Sequence, residues 1–196
     1  MIYVILGKTA SGKDTIVSKL TKSGYKRIVT YTSRPMRKKE KNGEAYHFVT
    51  KEEFEGLIQS GFFAEWRSYD TVDGVWYYGS SVDSYDTDED RIIILNPDGF
   101  SKIKNILEPE KVKSIYVYSN IKTIRNRLKK RGDKKEEAER RIEHDLIDFK
   151  GLENEVDKIV YNNEEDNLDD VVRKILSYIT LDGVVQKIIS YITENK

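Results

Sequence analysis

The sequence predicts an α/β fold in which a mainly parallel sheet is covered by helices. Short apolar runs such as Ile2–Leu6 and Ile92–Leu95 alternate with segments of helical periodicity, as expected for strands buried on both faces. An aromatic-rich region at 31–85 interrupts the alternation, and a basic helical region follows at 121–150. We therefore predict one domain over 1–196, with a core (1–30, 86–120 and 151–196), an inserted small mixed-β subdomain (31–85) and a helical lid (121–150).

Composition argues against several classes of protein. The 34 basic residues balance the 34 acidic residues, whereas binding of polymeric nucleic acid usually requires a net basic face. Cysteine is absent, which rules out disulfides and thiolate metal sites and fits a reducing, cytoplasmic location. The apolar start lacks the basic segment and cleavage site of a signal peptide, and no apolar run approaches the ~20 residues of a membrane helix. We expect no membrane partner, and the oligomeric state stays open.

Local signals place the elements of the first half of the chain. Thr50 and Glu53 form a capping-box pattern that predicts a helix start, and Pro35 with Gly43 indicates a loop. The predicted elements after the first strand are a helix with Ile16, Val17 and Leu20 on one face, a strand Tyr25–Thr30, a loop Arg34–Glu44, a helix from Thr50 to about Gly61, and a hairpin or small sheet over Phe62–Tyr78.

The second half continues with strands and helices in alternation. Asn96 and Pro97 predict a helix start, because Pro is favoured at the first helical position. Beyond the strand Ile92–Leu95, the predicted elements are a strand Lys113–Tyr118, a helix Ile121–Arg131, a break at Gly132–Lys135, a helix Glu136–Lys150, a strand Asp157–Tyr161 and a helix capped by Asn167. Residues 171–180 nearly repeat as 184–193. We interpret the repeat as a local duplication that lengthens or doubles the last helix.

The segment Gly7–Lys13 fits the pattern G-x-x-x-x-G-K between a predicted strand and a predicted helix, which is the context of a working phosphate loop. Its glycines let the backbone curl so that several N–H groups point at one anion. Lys13 can then reach the terminal phosphates of ATP, although a tight turn with an exposed lysine is the alternative. The pattern predicts a P-loop NTPase core with ATP bound by Gly7, Ala10, Ser11, Gly12, Lys13, Asp14 and Thr15.

The residue after Lys13 departs from this pattern, which has Ser or Thr there as a Mg²⁺ ligand. This chain has Asp14, followed by Thr15. Because Mg²⁺ prefers hard oxygen ligands and keeps several waters, Asp14 can hold the ion directly or through water. Thr15 replaces it only if the helix begins one residue later. We therefore predict Mg²⁺ that arrives with ATP and has Asp14 as its candidate ligand.

Five segments in order resemble those of guanylate kinases and together cover roughly residues 1–180. They are the phosphate loop, Thr30–Arg37 with Asn42–Phe48, Phe62–Trp66, Tyr77–Ser80, and a lid with Arg131-Gly132 and Arg140-Arg141. The resemblance implies a nucleoside monophosphate kinase that transfers the γ-phosphoryl group of ATP to GMP or dGMP. Lid arginines would close over the transferring group and exclude water. The implied catalytic residues are Lys13, Arg131, Arg140 and Arg141, and Asn162 is implied to lie near the adenine of ATP.

The resemblance also implies how the acceptor is held. A guanidinium offers paired hydrogen bonds to phosphate oxygens, and a carboxylate can accept two hydrogen bonds from the N1–H and N2–H₂ edge of guanine, which adenine lacks. Glu65 is the implied carboxylate. The implied phosphate contacts are Arg34, Arg37, Tyr46 and Tyr78, and further contacts to the base are implied for Thr30, Ser80 and Asn96.

The sequence departs from the family pattern at three places. About three extra residues lie between Trp66 and Tyr77, and the lid is one residue shorter before its arginine pair. Asn96 stands where the family usually has an acidic residue, and it also fits the helix N-cap. Asp98 or Asp14 could supply the missing charge. These departures keep open another (deoxy)nucleoside monophosphate as acceptor, or a catalytically weak binding module of the same fold.

Overall fold

The computed structural model describes residues 1–38 and 40–194, with side chains described as far as 185. Its core is a five-stranded sheet in which every neighbouring pair is parallel. This arrangement confirms the predicted α/β fold. In spatial order the strands are β2 (Lys26–Arg27), β7 (Arg91–Ile94), β1 (Ile2–Leu6), β8 (Val112–Tyr118) and β9 (Lys158–Tyr161).

Alternate side chains of the central strand β1 enter two separate cores, because successive residues of a strand point to opposite faces. Val4 and its alternate neighbours pack against α3 (Pro97–Ile106), whereas Ile5 packs against α1 (Lys13–Lys22) and α6 (Leu168–Glu194). The whole of β1 is buried. Helices therefore cover both faces of the sheet and fix where the loop after β1 emerges.

A second, mixed sheet occupies the region that interrupts the alternation. Its spatial order is β4 (Tyr46–Phe48), β3 (Thr30–Thr32), β6 (Gly74–Ser81) and β5 (Phe63–Thr71). The β5–β6 pair forms the predicted hairpin. The helix α2 (Lys51–Gln59) begins with the predicted capping box and packs the ring of Phe54 against the sheet. The basic region forms α4 (Ile121–Arg131) and α5 (Lys135–Asp148).

One predicted element differs from the structure, and one open alternative is decided. The single strand predicted at Tyr25–Thr30 is wrong, because β2 belongs to the parallel sheet and β3 to the mixed sheet. The chain changes sheets between Ile28 and Thr30, so one continuous ladder cannot form. The near-repeat at the C-terminus lies within one helix, α6, which confirms the lengthened form. None of the helices that the structure describes is long and apolar enough to cross a membrane.

Ile93→Ala is predicted to destabilise the protein by about 2–5 kcal/mol, because it removes buried methyl groups and leaves a cavity. Ile93 is 0% exposed in the centre of β7. Ile147→Ala is the control, since Ile147 is 75% exposed on α5, and its effect is expected to stay within about 0.5 kcal/mol. Urea unfolding followed by circular dichroism measures both variants, and equal effects would contradict the packing described here.

Candidate functional site

The phosphate loop joins the end of β1 to the start of α1. Gly12 has φ 95°, a left-handed conformation that favours glycine. Gly7 is needed for a different reason, since a Cβ there would lie 2.7 Å from the carbonyl oxygen of Val117. The loop therefore needs glycine at both positions, at Gly12 because of its backbone angle and at Gly7 because the backbone passes close to Val117. Its N–H groups and the N-terminus of α1 form a site for an anion.

Lys13 lies folded onto this loop. Its Nζ donates to the carbonyl oxygens of Gly7 at 2.5 Å and Lys8 at 2.8 Å. Burial lowers the pKa of Lys13, while the nearby carboxylates of Asp145 and Asp14 oppose that shift. The ammonium group is therefore held by two backbone carbonyl oxygens of the loop itself.

One cavity opens at the start of α1 and collects several of the predicted donor residues. The wall includes Ala10, Gly12, Lys13, Asp14, Thr15, Arg131 and Asn162. Asn162 is buried and donates through Nδ2 to the carbonyl oxygen of Ser11 at 2.7 Å. It therefore braces the phosphate loop from the end of β9.

Arg127 also lines this cavity, although sequence reasoning did not single it out. Its guanidinium donates to the carbonyl oxygen of Ala10 at 3.2 Å and that of Asn163 at 3.3 Å. Burial lowers its pKa. The signal in the sequence is its spacing of one helical turn before Arg131, which places both side chains on one side of α4.

A second cavity lies between the phosphate loop, the mixed sheet and the lid helix. Its wall includes Gly7, Thr9 and Lys13 at one end and the predicted acceptor residues Thr30, Tyr46, Glu65, Tyr78 and Asn96 elsewhere. The lid contributes Arg140, Arg141, His144, Asp145 and Asp148. One cavity therefore brings together the phosphate loop, the buried carboxylate Glu65 and two of the predicted lid arginines, Arg140 and Arg141, whereas Arg131 lines the first cavity.

Glu65 is the buried carboxylate at one end of this cavity and is only 6% exposed. Its Oε1 accepts a hydrogen bond of 2.6 Å from the hydroxyl of Ser80, which itself pairs with the hydroxyl of Tyr85 at 2.7 Å. Burial raises the pKa of Glu65 to about 7. Ser80 is fully buried behind Glu65, so its hydroxyl orients the carboxylate. The second oxygen, Oε2, lies close to Gly99.

The predicted phosphate-binding arginines share one carboxylate. Arg34 is buried and donates to both oxygens of Glu40, at 2.8 and 3.0 Å, while its guanidinium lies 5.5 Å from the ring of Tyr46. The backbone N–H of Arg37 also donates to Glu40, at 2.7 Å. Although burial opposes ionisation, hydrogen bonds from Arg34 hold the pKa of Glu40 below its usual value. The ring of Tyr78 lies 6.0 Å from that of Tyr46.

The lid arginines are paired in the same manner. Arg140 and Arg141 both donate to Glu137, with distances from 2.6 to 2.9 Å, and Arg131 donates to Asp133 at 2.5 and 2.7 Å. The hydrogen bond from Arg140 is the main cause that lowers the pKa of Glu137 to about 2. Each arginine predicted to bind phosphate thus carries a carboxylate partner within its own segment.

The carboxylate that reaches the phosphate loop is Asp145 of α5, which sequence reasoning missed. It accepts a hydrogen bond of 2.5 Å from the backbone N–H of Thr9, and burial raises its pKa. The two carboxylates suggested from the sequence to supply the missing charge each form an ion pair of their own. Asp98 pairs with Lys102 at 2.8 Å, and Asp14 pairs with Arg27 at 3.1 Å. The contact of Asp145 with the loop could not be predicted from the sequence, because it depends on how α5 packs against the loop.

The hairpin also touches the lid. Arg67 of β5 forms a paired contact with Asp148 of α5, at 2.9 and 3.0 Å. Near the hairpin tip, Asp73 pairs with Lys134 at 3.2 Å. The extra length between Trp66 and Tyr77 therefore lies in a hairpin that reaches across to the lid helix.

Comparison with known proteins identifies a family for these features. The family model described as guanylate kinase matches residues 1–181. A guanylate kinase of Malacoplasma penetrans is 30% identical over 184 residues, which cover 89% of this chain and 91% of that protein. One from Neisseria gonorrhoeae is 36% identical over 148 residues, covering 72% and 70%. A crystal structure of guanylate kinase from Anaplasma phagocytophilum has the same fold, with a TM-score of 0.67 at 24% identity, covering 93% and 85%.

Glu65→Gln is predicted to flatten the pH dependence of stability. The pKa of Glu65 in the folded protein is raised from 4.5 to about 7. The folded protein is therefore most stable, as far as this group decides, when the pH is below 4.5, and its free energy of unfolding falls as the pH rises to about 7 and above. The loss amounts to roughly 3 kcal/mol at most. Urea unfolding at about pH 5 and about pH 8.5 measures it, with the exposed Glu52→Gln as control. An unchanged slope in Glu65→Gln would contradict the raised pKa.

Proposed function

Since this chain belongs to the guanylate kinase family, we propose that it transfers the γ-phosphoryl group of ATP to GMP or dGMP, giving ADP and GDP or dGDP. The observation that carries the proposal is the shared cavity, in which Lys13 and the phosphate loop face the same space as the buried Glu65. Transfer between two phosphates requires positioning and charge neutralisation more than a general base. The residues of this cavity supply both.

Base recognition rests on Glu65. With Ser80 holding Oε1, the ionised carboxylate accepts hydrogen bonds from the N1–H and N2–H₂ groups of guanine. Adenine presents no such pair of donors, and a buried carboxylate left without them is costly. Thr30, buried in β3 beside the cavity, offers a hydroxyl to the same base. GMP and dGMP share this base, so Glu65 selects between bases and not between sugars.

Phosphate binding proceeds by exchange of partners. On the acceptor side, Arg34 and Arg37 turn from Glu40 to the monophosphate, with Tyr46 and Tyr78 as neutral partners. On the donor side, Lys13 leaves its carbonyl partners for the terminal phosphates of ATP. In both cases charge-assisted hydrogen bonds to phosphate replace bonds of similar kind.

The lid completes the site when its arginines, Arg131, Arg140 and Arg141, turn from their carboxylates to the transferring group. A closed lid excludes water, which otherwise hydrolyses ATP. Asn162 and Arg127 hold the phosphate loop from behind during this change.

Mg²⁺ accompanies ATP in this proposal. Asp14 and Thr15 both line the donor cavity beside Lys13 and are exposed, and their oxygens suit a hydrated Mg²⁺ ion. Within the described residues no cluster of three or more acidic, histidine or cysteine side chains could hold a metal alone. The phosphates and water would therefore complete the shell, and the bound ion would neutralise charge on the phosphate oxygens. We place the reaction in the cytoplasm, with the two nucleotides as partners.

Lys13→Ala is predicted to lower kcat by at least roughly 100-fold, because it removes the cation that faces the transferring phosphate. The measurement is ADP release with GMP, dGMP, AMP, CMP, UMP and dTMP as acceptors. Lys22→Ala, an exposed lysine on the same helix, is the matched control and should keep wild-type turnover. Equal activity in the two variants would contradict the phosphate-loop assignment. Turnover by the wild type with only an acceptor other than GMP or dGMP would contradict the proposed specificity for guanine.

The KM for GMP is predicted to rise as pH falls below about 7, because protonated Glu65 loses its capacity to accept two hydrogen bonds. The KM for ATP should not follow the same profile. Glu65→Gln should have a high KM for GMP that no longer changes across this range. Steady-state kinetics from about pH 5.5 to about pH 8.5 test the prediction, and the same pH profile in both proteins would contradict it.

A further inference from the structure

Tyr69 of β5 lines the acceptor cavity, yet the mechanism above gives it no part. The side chain belongs to the long hairpin between Trp66 and Tyr77, the segment whose extra length the family pattern leaves unexplained. It lies beside Asn96, which replaces the usual acidic residue. Two departures from the family pattern, the longer hairpin and Asn96, are therefore adjacent in the cavity wall.

A hydrogen bond fixes the two side chains. Asn96 accepts through Oδ1 from the backbone N–H of Gly99 at 2.7 Å, as the N-cap of α3. A backbone N–H can donate only to the oxygen of the amide, so the orientation of the amide is determined. Its Nδ2 therefore donates to the hydroxyl oxygen of Tyr69, at 2.6 Å.

The consequence is a free donor. A phenol has one hydrogen to give, and because Asn96 occupies the oxygen as a donor, that hydrogen points elsewhere. Burial raises the pKa of Tyr69 to about 12, so the hydroxyl stays protonated at neutral pH. The ring is held by its neighbours, with the guanidinium of Arg67 5.1 Å from its centre.

Position along the cavity indicates what this donor meets. The ring of Tyr69 lies 5.7 Å from that of Tyr78, at the phosphate end. Its hydroxyl is bound to Asn96, which shares the space over Gly99 with Glu65 at the base end. In a nucleoside monophosphate the sugar lies between phosphate and base. The hydroxyl of Tyr69 therefore lies between the residues assigned to the phosphate and those assigned to the base, where the sugar of a bound nucleotide would lie.

We propose that Tyr69 is a specificity-determining residue that donates a hydrogen bond to a sugar oxygen of the acceptor, and that Asn96 is the positioning residue that aims its hydroxyl. The inference rests on the proposed function, because it assumes that guanine occupies the Glu65 end. It adds recognition of the sugar to recognition of base and phosphate.

Tyr69→Phe tests the donor. It removes one neutral hydrogen bond and keeps the ring, so the Kd and KM for GMP should rise roughly 3- to 10-fold. The KM for ATP, the value of kcat and the melting temperature should stay as in wild type. Tyr77→Phe is the matched control. It also removes a tyrosine hydroxyl from this hairpin, but that hydroxyl donates to Glu55 outside the cavity.

Asn96→Ser tests the positioning role. Serine keeps the N-cap but has no N–H to donate to Tyr69, so the KM for GMP should rise by a smaller factor at unchanged kcat. In the Tyr69→Phe background the same change should add nothing, because both act through one hydroxyl. Independent, multiplying effects would overturn the positioning role.

Calorimetric titration with GMP and dGMP separates the outcomes. A loss of affinity for GMP alone assigns the contact to the 2′-hydroxyl, and equal losses assign it to another sugar oxygen; both support the proposal. Unchanged affinity for both nucleotides in Tyr69→Phe, or an equal rise in the KM for ATP, would overturn it. Turnover of wild type with GMP tests the proposed function separately, and the titration remains informative whatever that result.

Discussion

The structure depends on one constraint, which is that the backbone between β1 and α1 must curl tightly enough to aim its N–H groups at a phosphate. This curl needs a strand that cannot shift, and β1 is buried throughout between β7 and β8. The loops after these parallel strands emerge at the same edge of the sheet. Asn96 follows β7 and Asn162 follows β9, the next strand beyond β8, so predicted acceptor and donor groups lie beside the phosphate loop because of the strand order.

The same site must hold many cations without a bound phosphate. The structure solves this locally, because each group of arginines has its own carboxylate: Glu40 for Arg34, Glu137 for Arg140 and Arg141, and Asp133 for Arg131. Asp145 serves the phosphate loop in the same way. These pairs are local examples of the balance between 34 basic and 34 acidic residues in the whole chain. Phosphate binding is then an exchange of anions, which limits the cost of desolvating each guanidinium.

Local signals in the sequence were sufficient for most of the fold. The capping box of Thr50, the N-cap at Asn96 and the apolar strands are each encoded within a few neighbouring residues, and the structure contains them. The strand predicted at Tyr25–Thr30 failed because the change from one sheet to the other is a tertiary event. The roles predicted for individual site residues rested on resemblance, and they stay predictions, whereas their positions in the two cavity walls follow from the fold.

Three residues of the site, Glu40, Arg127 and Asp145, were not predicted from the sequence, and the reason is physical. None of the three belongs to a distinctive motif. Arg127 and Asp145 contact the phosphate loop, which is far from them in the sequence. Glu40 contacts Arg34 within a loop whose conformation the sequence does not predict. Such partners emerge only when the chain is folded. Composition does not identify them, and only Arg127 has a signal in the sequence, its spacing of one helical turn before Arg131.

Two of the departures from the family pattern, the longer hairpin and Asn96, are connected by one hydrogen bond. An acidic residue at position 96 would accept the hydroxyl hydrogen of Tyr69 and leave no donor for the cavity, whereas Asn96 donates and leaves that hydrogen free. Tyr69 lies on the hairpin strand β5, whose Arg67 also pairs with Asp148 of α5. In the role proposed for Tyr69, the longer hairpin supplies the hydroxyl and Asn96 leaves its hydrogen free, so the cavity has a neutral hydrogen-bond donor on the strand that also pairs with α5.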